Sequence, residues 1–102
     1  MRREDLAHAL ATAVTDVPGV AALGAGTGIE PATYFPGGKV VGIRLSDPVE
    51  VHIVADEVPL PPVAVRVGAA AHAVLAGAGE DRAVQVIIDD VVAAALERRH
   101  HS

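Results

Sequence analysis

The chain has 102 residues, 51% of them hydrophobic and 21% charged, which is enough for one globular domain and too short for two. A formal charge of −5 and a pI near 5.4 argue against an electrostatic grip on nucleic acid or an anionic membrane surface. Cysteine is absent, which excludes disulfides, thiol chemistry and thiolate metal sites.

Met1-Arg2-Arg3 is followed at once by Glu4-Asp5, with no apolar run of the kind a signal peptide carries, so a cytoplasmic location is expected. Leu6, Leu10, Val14 and Val17 recur at helical spacing and predict a first amphipathic helix over 5–16, stopped by Pro18-Gly19. A short strand is expected over 20–23. The stretch 24–38 is so rich in glycine and proline that an irregular loop is expected, with Tyr34 and Phe35, the only aromatics apart from histidine, inside it. One of the two is expected to anchor that loop to the core.

Residues 40–55 read as a β-hairpin around Ser46-Asp47-Pro48. The predicted register sets Leu45 opposite Val49, Ile43 opposite Val51 and Val41 opposite Ile53 on one face, with Arg44 against Glu50 on the other. Asp56-Glu57 and Pro59-Leu60-Pro61-Pro62 form a turn whose last prolines suit the first turn of a helix. That helix is predicted over 60–76, with Leu60, Val63, Val67, Ala70, Val74 and Ala78 on its apolar side and Arg66 on the solvated side. The most apolar run, 67–79, is shorter than a bilayer span and is interrupted by His72, so direct membrane insertion is not expected. Val84, Val86 and Ile88 alternate with Ala83, Gln85 and Ile87 in a final strand that continues towards Val92, and a short helix over 91–99 closes the chain. The domain is expected to span 1–99, with 100–102 a disordered tail.

None of the side-chain patterns names a reaction. Gly24-x-Gly26-x-Gly28 lacks the spacing and the following helix of a dinucleotide fingerprint, and Gly38-Lys39 lacks both the first glycine and the hydroxyl of a phosphate loop. The acid pairs Asp56-Glu57, Glu80-Asp81 and Asp89-Asp90 read as solvated element ends, because neighbours on a strand point to opposite faces. His8, His52 and His72 fall on separate elements without metal-ligand spacing, and the only serines are Ser46 in a turn and Ser102 at the end. No catalytic, cofactor or metal residue is assigned, and no cofactor is expected.

The order of elements resembles the alkaline shock protein family of bacterial envelope-stress-response proteins. The resemblance is carried by the first helix ending in Val17-Pro18-Gly19-Val20, the strand Val49-Glu50-Val51-His52-Ile53-Val54, the proline-started helix with Val63, Val67 and Val74, and the closing Val84-Gln85-Val86-Ile87-Ile88-Asp89-Asp90-Val91. It implies a non-enzymatic cytoplasmic protein, self-associating and held near the membrane by a membrane-anchored protein partner. The expected fold is a two-layer α+β domain, with two amphipathic helices on one face of a three- to four-stranded mixed sheet, a final strand parallel to the second hairpin strand, and a short C-terminal helix. The expected function is a structural or interaction module. A KH-like nucleic-acid-binding domain, or a small-molecule-binding domain or enzyme using the 24–39 loop, is the alternative. The candidate interaction residues are Tyr34, Phe35, Ala83, Gln85 and Ile87, the last three on an edge strand free of proline and charge over 83–88.

Overall fold

A computed structural model describes residues 1–101, with side chains described through Glu97. Its elements are α1 (Arg3–Thr15), β1 (Val20–Leu23), β2 (Ala32–Phe35), β3 (Gly38–Val41), β4 (Ile43–Arg44), β5 (Val49–Ala55), α2 (Leu60–Gly77), β6 (Val84–Val91) and α3 (Ala93–His101). The expected two-layer α+β architecture is present: α1 and α2 cover one face of a four-stranded mixed sheet, and a short helix follows it. Of the expected tail over 100–102, residues 100 and 101 belong to the backbone of α3, and 102 lies outside the described residues.

The sheet is organised on β5. Val49, Val51, Ile53 and Ala55 alternate along it, and all are fully buried against the helices. β6 pairs with β5 in parallel along its whole length, Val49 opposite Val84 through Ala55 opposite Val91, as the crossover through α2 requires. The other edge of β5 is shared end to end by two antiparallel strands. β4 pairs with its first half, Ile43 opposite Val51 and Arg44 opposite Glu50, and β1 pairs with its second half, Leu23 opposite Ile53.

The predicted hairpin is therefore correct at Ile43 and Arg44, but Val41 does not face Ile53. The chain turns away at Gly42, which has φ 94° and is packed so closely that a Cβ there would lie 2.8 Å from Leu23 Cβ. Val41 instead pairs with Ala32 in a second, two-stranded sheet. The expected irregular loop is likewise corrected: Ala32–Phe35 and Gly38–Val41 form a hairpin closed by Pro36-Gly37. Proline supplies a fixed negative φ and Gly37 the positive one, 89°, that a tight turn demands. The irregular part is confined to 24–31, and it contains no helix.

The helices form where expected with shifted ends, α1 starting two residues earlier and α3 two residues later than periodicity suggests. The buried stripe of α2 is Val63, Val67, Ala71 and Leu75, at uniform four-residue spacing, while Ala70, Val74 and Ala78 pack half-buried beside it. Among the described residues α2 is the one helix long and apolar enough to cross a membrane, and in this fold that stripe is spent on the domain core. Arg66 is not merely solvated: it donates to the Pro18 carbonyl at 2.5 Å and to the Glu57 carboxylate, tying two turns to the helix.

Candidate functional site

An open sheet edge is a row of unpaired N–H and C=O groups, so its exposure has to be judged strand by strand. On the first edge, β1 is four residues long and interrupted by a bulge at Ala21, and β4 is two residues long. The β2–β3 hairpin closes over β4: the Gly42 N–H donates to the Pro31 carbonyl at 2.8 Å, and the buried Thr33 hydroxyl donates to the Ile43 carbonyl at 2.8 Å. That edge is blunted.

The other edge is β6, eight residues long, paired only with β5. Its core-facing Val84, Val86 and Ile88 are half-buried, whereas the matching β5 residues Val49, Val51 and Ile53 are completely buried. The side-chain row under this edge is thus unfinished in a way the neighbouring row on β5 is not. Gln85 is exposed and Ile87 half-buried on the opposite, solvent-side face, and Ala83 is exposed just before the strand.

The aromatic candidates lie elsewhere, on the separate two-stranded sheet. Phe35 packs against the core and tilts against the His8 ring at 5.7 Å between centroids. Tyr34 is 62% exposed, and its carbonyl accepts from Arg3 at 3.1 Å. Phe35 is therefore the anchor. The two aromatics line a shallow cleft of about 270 Å³ with Arg2, Arg3, Glu4 and Pro36. They do not share a surface element with Ala83, Gln85 and Ile87.

A polar cluster on the solvent-side face of the sheet was not foreseen. His52 of β5 lies with Nδ1 3.0 Å from one oxygen of Asp89 and Nε2 3.2 Å from Glu50, which itself faces Arg44 at 3.7 Å. Asp89 also accepts the Gly26 N–H at 2.8 Å, and a Cβ on Gly24 would fall 2.2 Å from its carboxylate. Asp89 is therefore no solvated strand end. It is the extra residue of a β-bulge, inserted where Ile53 faces Ile88 but Val54 faces Asp90, and its side chain is only 9% exposed. The period-two placement of Arg44, Glu50 and His52 on one polar face was the legible part of the cluster; the part that Asp89 plays was not.

Chemically the cluster holds the 24–31 segment to the sheet. An imidazole paired with a carboxylate suits proton transfer to a nucleophile, yet among the described residues no hydroxyl is hydrogen-bonded to His52. Ser46 is bonded to the Pro48 carbonyl and Thr33 to that of Ile43. Among the described residues no group of three or more His, Asp or Glu side chains is arranged to hold a metal ion. In comparisons with known proteins, no family model, no curated protein and no solved structure matched this chain.

Proposed function

We propose that this protein is a non-enzymatic interaction module whose working surface is the free edge of β6. The observation that carries it is the contrast between the two sheet edges: one short, bulged and covered, the other long, open and underlain by half-buried Val84, Val86 and Ile88. Side-chain row and backbone groups both gain when another strand is added, which is how β-augmentation binds. The resemblance to alkaline shock proteins supports an envelope-associated role, in which the cytoplasmic domain is recruited by a membrane-anchored protein partner.

The test is capture from solubilised native membranes on the immobilised full chain, beside a Val84→Pro variant that blocks the edge at its first strand residue, a position proline tolerates. A membrane protein retained by the native chain and lost with the variant is the expected result. Equal capture by both, or none by either, would overturn the assignment.

A further inference from the structure

The symmetry of the exposed edge names an occupant. We infer that β6 pairs with β6 of a second copy of this chain, antiparallel, about a two-fold axis through Val86; this rests on β6 being the working edge.

The Ala83 carbonyl accepts from Val49 N–H at 2.9 Å and so points to β5. Backbone groups alternate along a strand, so Gln85 and Ile87 also turn theirs towards β5, while Val84, Val86 and Ile88 turn their N–H and C=O groups outwards. The same three residues carry the half-buried side chains on the helix-covered face.

In an antiparallel pair, residues directly opposite one another share a face. A self-pairing that aligns the two helix-covered faces must therefore set Val84, Val86 and Ile88 against one another. The bulge at Asp89 ends the regular part of the strand, leaving 84–88 as the straight segment. One centring uses all of it: Val86 opposite the partner's Val86, and Val84 opposite the partner's Ile88 at either end. Each of these residues meets its counterpart with outward backbone groups, so the ladder closes without a leftover donor.

Charge selects the same register. It carries Arg82 of each copy to the partner's Asp89-Asp90 end, twice by symmetry. Moving the axis to Gln85 would set Asp81 against the partner's Asp89, like against like. Moving it to Ile87 would lay Val84 against the partner's Asp90. A two-fold operation also closes the pair, so the edge is consumed and no fibre can propagate from it.

The chain has no native cysteine, so introduced thiols report position without ambiguity. In the inferred register Gln85 lies directly opposite the partner's Ile87 on the solvent-side face. Oxidising an equimolar mixture of full-length Gln85→Cys and Ile87→Cys chains is expected to give mixed disulfide dimers well beyond the twofold excess over each homodimer, roughly the value that random pairing alone produces, because Cys–Cys contact directly across the strands exists only in the mixed pair. Sedimentation of the native chain should show a concentration-dependent doubling of mass that Val86→Pro abolishes. Proline belongs at Val86 because its N–H faces outwards, whereas Gln85→Pro would remove a bond to β5; Val84→Pro serves if Val86→Pro does not fold. A predominant Ile87→Cys homodimer would overturn the register. A monomer at every concentration would overturn the second copy. Hydrogen exchange of Val84, Val86 and Ile88 then separates the two claims: protection rising by roughly tenfold with a membrane extract leaves the edge as the working surface with a different occupant. No protection under either condition sinks both.

Discussion

Gly42 offers a controlled measurement of what joins the two halves of this sheet. Three glycine-to-alanine changes differ in one physical respect at a time. Gly28 has no left-handed φ and nothing within 4 Å of a built Cβ, Gly37 has φ 89° with the same open surroundings, and Gly42 has φ 94° with Leu23 Cβ at 2.8 Å and the Gly24 carbonyl oxygen at 3.1 Å. Gly28→Ala is expected to change stability by no more than about 0.5 kcal/mol. Gly37→Ala carries the left-handed backbone term alone, about 1–2 kcal/mol. Gly42→Ala adds the crowding of a closely packed position, about 1–3 kcal/mol more, for a total of about 2–5 kcal/mol. The obstacle at Gly42 is another residue's Cβ and a backbone oxygen, neither of which can swing aside as a flexible side chain would. Urea unfolding followed by far-UV circular dichroism, at a concentration low enough to keep the chain monomeric, reads all three. With a denaturant slope of roughly 1–2 kcal/mol/M, the Gly42→Ala midpoint should fall by about 1–5 M while Gly28→Ala hardly moves. Equal midpoints for Gly37→Ala and Gly42→Ala would refute the claim that β1 and β4 meet at a sterically closed junction.

Asp89→Ala leaves the Gly26 N–H and one ring nitrogen of His52 without their carboxylate partner, and is expected to cost about 2–4 kcal/mol and to expose the Gly26 amide to exchange, read by urea unfolding and amide NMR. Unchanged protection of Gly26 would count against the cluster as the clamp on 24–31. Thr33→Val, nearly the same in shape, strands the Ile43 carbonyl in the core and should cost about 1–3 kcal/mol in the same assay, whereas a neutral result would mean that the bond between the hairpin and β4 contributes nothing. Lys39, hydrogen-bonded to Glu30 at 2.6 Å, has its pKa raised above the ordinary 10.5 by that bond and by the charge of Glu30. Because the folded value is the higher one, the stabilisation is fully present below 10.5 and is lost as pH rises through the folded value. An NMR titration of the Lys39 side chain should show the raised midpoint, and Glu30→Gln should return it towards normal; a midpoint indifferent to Glu30→Gln would contradict the assignment.

What was legible in the sequence follows the strength of each local signal. Val49, Val51 and Ile53 alternate without interruption, so β5 and its cross-strand pairs with Ile43 and Arg44 could be read directly. The partner strand could not be followed past Gly42, because a single positive φ ends a strand without changing the apolar pattern around it. The β2–β3 hairpin is not legible in the sequence because Pro36, Gly37 and Gly38 read as forbidding a regular element, when together they make the turn between Ala32-Thr33-Tyr34-Phe35 and Lys39-Val40-Val41, both of β-forming composition. The His52–Asp89 contact joins positions far apart in sequence through a parallel register and a bulge, and neither leaves a local mark. The acid pair looked like a strand end because the alternation rule holds only where a ladder is regular, and at Asp89 it is not.

The closed junction and the open edge are two consequences of one arrangement. At His52 the backbone N–H donates to Gly42 at 2.8 Å and the carbonyl accepts from Gly24 at 2.7 Å, so β4 and β1 together satisfy one side of β5 while β6 takes the other. β5 is thereby complete, and the unpaired backbone groups are passed outwards to β6. The core is light because it is built chiefly from valine, leucine and alanine, and its outermost row, under the open strand edge, has further burial available. Bringing Val84, Val86 and Ile88 of two copies from half to full burial would contribute about 0.7–1.5 kcal/mol for each side chain, roughly 4–9 kcal/mol in all. Association itself costs about 4–15 kcal/mol, so this row alone does not fix a tight dimer, and the strand-to-strand hydrogen bonds and the Arg82 contacts decide the balance. A contact poised in this way is populated according to the concentration of the chain, and it gives way to a competing strand that offers the same ladder with a better-filled underside. That is the behaviour which the proposed exchange, from self-pairing to a membrane-anchored partner, requires of this edge.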